Sequence, residues 1–254
     1  MAKLSIVVLQ YNQSGRTLAC LESLRPLNAD VIVVDNGSDV EHLKNVEYWL
    51  ETFKPLNFKL LNSPKNLGYS GGNNIGIKYA LEHGAEKILI LNNDVVLKEM
   101  PSGDADIVGL EQGRVFGFDY LSGAVLLIKK EVFSKIGFFD ERYFLYYEDV
   151  EFCVRAQKAG FKLSGSTAQF MHATSATTST LGSANLLYYH TRNALLLNKT
   201  HGTWYVRLAL PIWSFWIKLK QRIKILLGRN IEESKAILQG ARDYDKNRYR
   251  MRVG

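Results

Sequence analysis

Cysteine is nearly missing from this 254-residue chain: there are two, Cys20 and Cys153, far apart and without C-x-x-C spacing. That excludes a disulfide-stapled scaffold, leaves no cysteine pair for metal or redox chemistry, and suits a reduced cytosolic protein. No apolar run reaches the roughly 20 residues a membrane-spanning helix needs. The start, Met1-Ala2-Lys3-Leu4, has no n-region, h-region or cleavage site and leads straight into a strand-like run, so a cytoplasmic location is expected. Two nucleotide fingerprints are lacking as well. No G-x-G-x-x-G follows the first strand and no G-x-x-x-x-G-K-[ST] occurs, which excludes a dinucleotide-binding domain and a P-loop NTPase.

What is present is ordinary in amount and uneven in placement. With 46% apolar and 22% charged residues the chain is neither disordered nor an integral membrane bundle. Its net charge is +7. Residues 1–217 hold 21 basic and 21 acidic residues, whereas 218–254 hold 11 and 4, so the last segment supplies the whole excess, 11 − 4 = +7. A basic segment at one end points to an anionic surface, with a solvated helix face as the plain alternative.

Apolar β-branched runs at Leu4–Leu9, Val31–Val34, Phe58–Asn62 and Lys87–Leu91 predict strands. They alternate with helical patterns over Thr17–Leu24, Val40–Phe53 and Asn73–His83. Such alternation means a parallel, doubly wound α/β sheet, in which ligands sit beyond the carboxyl ends of the strands. The polar clusters Tyr11-Asn12, Asp35-Asn36 and Asn92-Asn93-Asp94 fall there. The glycines of Gly68-Tyr-Ser-Gly71-Gly72 and Gly76 precede the third helix, where backbone N–H groups could approach a phosphate or sugar. Residues 101–120 give no clear assignment. Further on, the pattern predicts an apolar stretch over Tyr120–Lys129, helices over Lys130–Ile136 and Glu148–Ala159, and a Ser/Thr-rich mobile loop at 173–185. From Ala184 it is helical to the end.

In this order the motifs resemble those of the family 2 glycosyltransferases, of GT-A fold, and most closely their rhamnosyltransferase-like branch. The matching pieces are Ser5-Ile-Val-Val-Leu-Gln-Tyr11-Asn12, Val33-Val34-Asp35-Asn36-Gly37-Ser38, Asn66-Leu-Gly68 with Asn73-Asn74-Ile-Gly76, and Leu91-Asn-Asn-Asp94. Ser122-Gly123-Ala124, Gly137-Phe-Phe-Asp140-Glu141, Phe144-Leu-Tyr-Tyr-Glu148-Asp149-Val-Glu151, His172 and Tyr188-Tyr-His-Thr-Arg192-Asn193 complete the set. The resemblance covers roughly residues 4–200. It implies a GT-A catalytic domain over 1–200, with a nucleotide-binding half (1–100) and an acceptor half (101–200), followed by a basic amphipathic helical tail over 201–254.

The resemblance also assigns roles. Asn92-Asn93-Asp94 stands at the family's D-x-D motif, which leaves Asp94, with His172, as the expected ligands of Mn²⁺ or Mg²⁺. Asp149 is the expected catalytic base of an inverting transfer, with Glu148 beside it. Acids in a helix's first turn also stabilise its dipole, which is the plainer account of the pair. Tyr11, Asp35, Asn36, Asn66, Asn73 and Asn93 are expected around the nucleotide-sugar donor, Asn36 reading the edge of a uracil or thymine. Ser122, Gly123 and Asp140 are expected on the acceptor side.

The tail's Trp204, Trp213 and Trp216 beside Lys218, Lys220, Arg222 and Lys224 fit a helix lying in a lipid interface. A glycan or polyprenol-linked acceptor at the inner face of the cell membrane would account for it. The alternative is that these aromatics pack on the catalytic domain or on another copy of the chain in a homo-oligomer. Two other function classes compete with sugar transfer. A sugar-phosphate nucleotidyltransferase would carry a glycine-rich basic loop after strand one, where this chain has Gln10-Tyr-Asn-Gln-Ser-Gly-Arg16. A nucleic-acid-binding protein would use the tail but leave Asp94, Asp149 and His172 idle, so no nucleic-acid partner is expected.

Overall fold

The computed structural model describes residues 3–172, 176–249 and 251–252, without the side chains of 172–181. The chain divides into two compact units, Met1–Glu141 with Glu148–Thr174, and Arg142–Tyr147 with Ser175–Gly254. The division expected at residue 200 therefore lies some 25 residues earlier. Its cause is that α6 (Ala176–His201) belongs with the tail helices rather than with the sheet.

The first unit opens with β1 (Leu4–Gln10), α1 (Ser14–Leu24), β2 (Asp30–Asp35), α2 (Val40–Phe53), β3 (Phe58–Asn62), α3 (Gly68–Glu82) and β4 (Lys87–Asn92). Then come β5 (Val95–Leu97), β6 (Ile107–Gly109), β7 (Gln112–Val115), β8 (Phe118–Leu121), β9 (Val125–Lys129), α4 (Lys130–Ile136), α5 (Glu148–Lys158), β10 (Leu163–Gly165) and β11 (Phe170–His172). Among the described residues the main sheet has the order β10-β6-β9-β4-β1-β2-β3. β9 runs antiparallel to β4 and β6, and the other pairings are parallel. The unassigned stretch 101–120 thus holds β6 and the β7–β8 hairpin.

Strand alternation separates two cores. Ile6, Val8, Val31 and Val33 face α1 and α2 through Leu21, Leu24, Val46 and Trp49. Val7, Ile32 and Val34 face the other way, onto Ile77, Ala80, Val132 and Phe152. Cys20 and Cys153 are free and buried, and burial pushes both thiols up to about 12. At neutral pH they are inert packing groups.

Helix α3 begins at Gly68, five residues before the expected start, so the glycine cluster lies inside the helix rather than ahead of it. The glycines serve close packing. A Cβ on Gly76 would stand 2.5 Å from Val7 Cγ1 and 3.0 Å from Val34 Cγ2, and one on Gly72 would collide with Leu9 and crowd the Asn36 amide.

The second unit consists of α6, α7 (Trp204–Leu226) and α8 (Ile231–Asp245), with the segment 142–147. Residues 173–175 lie outside the described residues. From Ala176 the backbone is already helical, where a Ser/Thr-rich loop to 185 is expected, and it is interrupted at Gly182, whose φ is +71°.

Gly76→Ala gains roughly 1 kcal/mol of helix propensity but overpacks the α3–sheet contact, which costs about 1–3 kcal/mol. The expected result is a net loss of stability in urea unfolding; a variant as stable as the parent would show that the helix can lift off the sheet freely.

Candidate active site

The register Gln10↔Asp35 and Leu9↔Asn92 brings the ends of β1, β2 and β4 to one edge of the sheet. Asn12, at a left-handed φ of +49°, ties two of those ends together. Its N–H donates to Ser38 Oγ (3.0 Å), and its Oδ1 accepts from the Asp39 N–H (2.7 Å). Asp35 is buried; its Oδ2 accepts from the Ser38 N–H at 3.0 Å, while its Oδ1 has no partner in the protein. Tyr11 beside it is exposed. An unsatisfied buried acceptor costs about 1–3 kcal/mol. A ligand N–H or O–H at Asp35 would recover that cost.

Asn36 does not present its amide to this edge. Its Nδ2 donates to Asn66 Oδ1 (3.1 Å) and the Gly68 carbonyl (3.0 Å), and its Oδ1 accepts from the Leu67 N–H (3.0 Å). Asn66 Oδ1 also accepts from the Gly68 N–H at 2.8 Å. The pair therefore shapes the entry to α3. Asn93 likewise turns inward, donating to Thr17 Oγ1 at 2.9 Å and more weakly to Gln10 Oε1. Asn73 is fully buried; it donates to the Tyr69 carbonyl at 3.0 Å and keeps its Oδ1 unpaired.

Asp94 is buried just past β4, with the Arg16 guanidinium 4.0 Å from its Oδ2. The β5–β11 pairing sets His172 opposite Val95, next in sequence to Asp94. The His172 side chain lies outside the described residues, so only its backbone position is reported. Among the described residues no group of three or more His, Cys, Asp and Glu side chains forms a cation cage. The buried Asp94 carboxylate, near the backbone position of His172, is a donor set that a cation would have to complete with oxygens of a bound ligand.

On the other side of β4 the Asn92 N–H donates to the Ala124 carbonyl at 2.9 Å, which fixes the Ser122-Gly123-Ala124 turn. The Gly123 N–H donates to Asp149 Oδ2 (3.0 Å), and the Val150 N–H donates to Asp149 Oδ1 (2.8 Å). The Tyr69 hydroxyl donates to the Gly123 carbonyl at 2.6 Å. A Cβ at Gly123 would meet that hydroxyl at 2.7 Å, so the turn closes this tightly only with glycine.

Asp149 is partly exposed; burial of the rest raises its pKa against the lowering effect of the Gly123, Val150 and Asp149 backbone N–H groups. Glu148 is buried, with an unpaired Oε2, and burial followed by repulsion from Asp149 pushes its pKa well up. Asp140 sits in a segment held by the Asn74 amide, which donates to the Phe139 carbonyl (3.0 Å) and accepts from the Phe139 N–H (3.1 Å).

Residues 5–101 match the family described as glycosyl transferase family 2. The low-salt glycan biosynthesis hexosyltransferase Agl10 of Haloferax volcanii is 27% identical over 202 residues, 63% of each chain. The dTDP-rhamnosyl transferase RfbF of Shigella flexneri is 26% identical over 245 residues, 77% of this chain and 80% of that protein. The N-acetylglucosaminyl-diphospho-decaprenol L-rhamnosyltransferase of Mycobacterium tuberculosis is 33% identical over 118 residues, 46% of this chain and 38% of its own. Over residues 5–101 this chain is similar to the family 2 glycosyltransferases. Its fold is GT-A: it resembles the mannosyltransferase PcManGT of Pyrobaculum calidifontis at TM-score 0.62, with 15% identity over 96% of this chain and 87% of that one. It spans less than two thirds of the length of Agl10.

The sequence motifs leave several site-building side chains without a role. Tyr69 and Asn74 are two; the Arg192-Asn193 pair in α6 is the third. The Asn193 amide donates to the Leu145 and Tyr146 carbonyls, both at 2.8 Å. Buried Arg192 lies over the rings of Tyr188 and Tyr189 and donates to the Arg142 carbonyl at 3.3 Å. These contacts hold the segment that runs into Glu148. Nothing in residue type announces the function, but the Tyr188–Asn193 stretch is the signal that could have found it.

Glu148 generates a test. Its proton is held more tightly in the folded chain than in the unfolded one. The stability from the neutral form is therefore complete below about pH 4.5 and is lost as pH rises through the raised native value. Glu148→Gln should flatten that fall, so that urea unfolding finds the variant gaining on the parent as pH rises from 4.5. Parallel pH profiles would show that Glu148 is not strained by its burial.

Proposed function

We propose that this chain is an inverting hexosyltransferase that moves rhamnose or another hexose from a UDP- or dTDP-sugar to a glycan or polyprenol-linked acceptor in cell-surface polysaccharide synthesis. The observation that carries it is Asp149, a partly exposed carboxylate aimed by two backbone N–H donors, with a raised pKa, beside the edge where the strand ends meet. The activities named for RfbF, Agl10 and the mycobacterial rhamnosyltransferase support the donor and acceptor classes.

In this reading Asp149 accepts the proton of the acceptor hydroxyl as its oxygen attacks the anomeric carbon. The bond from that carbon to the diphosphate breaks, and the product takes the opposite anomeric configuration. A raised pKa makes Asp149 the stronger base near neutral pH. Glu148, protonated over a wider range, keeps a second negative charge away from the nucleophile. Asp35, with its free buried oxygen, takes a ribose or base donor, and Tyr11 packs on the base. Asn36 and Asn66 shape the α3 entry behind the donor, and Asn73 turns its free oxygen toward it. Ser122, Gly123 and Asp140 line the acceptor side.

Asp94 and His172 would hold Mn²⁺ or Mg²⁺, the ion with which PcManGT was solved being Mn²⁺. Such a cation supplies charge compensation for the departing diphosphate. The tail keeps the protein peripheral on the cytoplasmic face of the membrane; among the described residues no helix is long and apolar enough to cross one.

Asp149→Asn should fold and bind donor but lose transfer by about 10²-fold or more. Turnover at the parental rate in the purified variant would remove the base assignment. A screen of UDP- and dTDP-sugars should find turnover that EDTA abolishes and added Mn²⁺ or Mg²⁺ restores; full activity in chelator would sink the metal assignment and leave the transfer itself standing.

A further inference from the structure

Helix α7 has two faces of opposite use. Leu210, Ser214 and Gln221 are buried against the rest of the second unit, and Ser214 Oγ donates to Asp245 of α8 at 2.9 Å. The opposite face carries Trp204, Leu208, Ile212, Phe215, Ile223 and Leu226, all exposed, spaced by three or four residues apart from the one step that spans Leu219. Spacing of that kind keeps them in one stripe along the helix. A soluble surface seldom shows so long an apolar stripe unless it meets something apolar.

Beside the stripe lies a cavity of about 240 Å³ between α7 and α8. Its walls are Phe215 from the stripe, the cations Lys218, Arg222, Arg242 and Lys246, and one acid, Asp245. Lys218 is paired with Asp245. Arg222, Arg242 and Lys246 have no acidic partner among the described residues, so the cavity keeps a surplus of three positive charges. Guanidinium groups and an ammonium around one small concavity suit the oxygens of a phosphate.

We propose that the α7–α8 cavity is a binding site for the phosphate group of a phospholipid of net negative charge, whose hydrocarbon lies along the exposed stripe of α7. Apolar stripe and cationic cavity share Phe215, so one amphiphile satisfies both. This rests on reading α7 as the membrane-facing helix, and it adds to that reading a defined site in place of diffuse attraction.

The test is flotation of the full chain with neutral phosphatidylcholine vesicles and with vesicles that also contain phosphatidylglycerol. Arg242→Gln with Lys246→Gln should weaken association with the anionic vesicles by about tenfold or more and leave the neutral ones unchanged. A control of equal charge change, Lys44→Gln with Lys59→Gln at exposed positions in the first unit, should behave as the parent. Equal losses in the two double variants, or none in the first, would overturn the site while the membrane reading survives. Inorganic phosphate that removes the anionic preference where chloride at the same ionic strength does not would assign the cavity to free phosphate instead and overturn the lipid assignment. A parent chain that floats with neither vesicle would overturn the membrane reading, and this site with it.

Discussion

Helix α3 can rest on β1 and β2 only because no side chain stands at Gly72 and Gly76, where a Cβ would drive into Leu9 and Val7. Much of the first unit's site depends on that approach. With α3 this low, Tyr69 in its first turn reaches the Gly123 carbonyl, Asn73 and Asn74 are sunk into the protein, and the Asn36 amide meets the turn before the helix. The Gly123 peptide is then gripped from both sides: its oxygen accepts from Tyr69 and its N–H donates to Asp149. A change of a few tenths of an ångström in helix height would be felt at the carboxylate. Close packing transmits strain in this way because interiors have little free volume to absorb it.

The three acids in the first turn of α5 illustrate how position, not residue type, decides what a carboxylate does. All three gain from the helix dipole. Glu151 is neutralised by Arg155, whose Nε donates to both its oxygens at 2.8 and 2.9 Å and whose guanidinium also holds the Ile136 and Phe138 carbonyls. It is a strut for the segment that carries Asp140. Glu148 is buried with an oxygen unpaired, and Asp149 is aimed by two peptide N–H groups and remains partly open to solvent. Only the last combines orientation with access. The plainer account of the pair as dipole-stabilising acids explains Glu151 well and leaves the strained burial of Glu148 unexplained.

Strand and helix positions up to β4 were legible because two-sided burial writes uninterrupted Val/Ile/Leu runs and the helices between them alternate cleanly; α2 and β3 fall where the pattern puts them. The start of α3 was not legible. Glycine is read as a helix breaker when only backbone entropy is considered, and its use as a spacer is visible only once Val7 and Leu9 are in place. The short strands of 107–121 were hidden for a related reason, since three- and four-residue strands carry too few alternations to show a period. At the candidate site, Asp35, Asp94 and Asp149 could be picked out as acids at strand and helix ends. The internal hydrogen bonds of Asn36 and Asn93 were not legible, because an amide that shapes a loop and one that reads a base share the same donors and acceptors.

Tyr146 and Tyr147 have φ of +67° and +72°, two successive bulky residues in the left-handed region directly before Glu148. Each such residue costs on the order of 1–3 kcal/mol and persists only where its surroundings over-determine it. The second unit supplies that support. Asn193 takes the carbonyls of Leu145 and Tyr146, His190 stacks on the Tyr146 ring at 4.9 Å and meets Tyr147 edge-on, and Phe144 stacks on Tyr189. Backbone amide contacts from a side chain are the one kind of restraint that fixes a peptide plane rather than a ring. Two of them at consecutive carbonyls fix the peptide planes of Leu145 and Tyr146. The aromatic run before Glu148 and the Tyr-Tyr-His-Thr-Arg-Asn stretch some forty residues later are therefore two halves of one restraint, and the strained turn at Tyr146–Tyr147 is what makes both necessary.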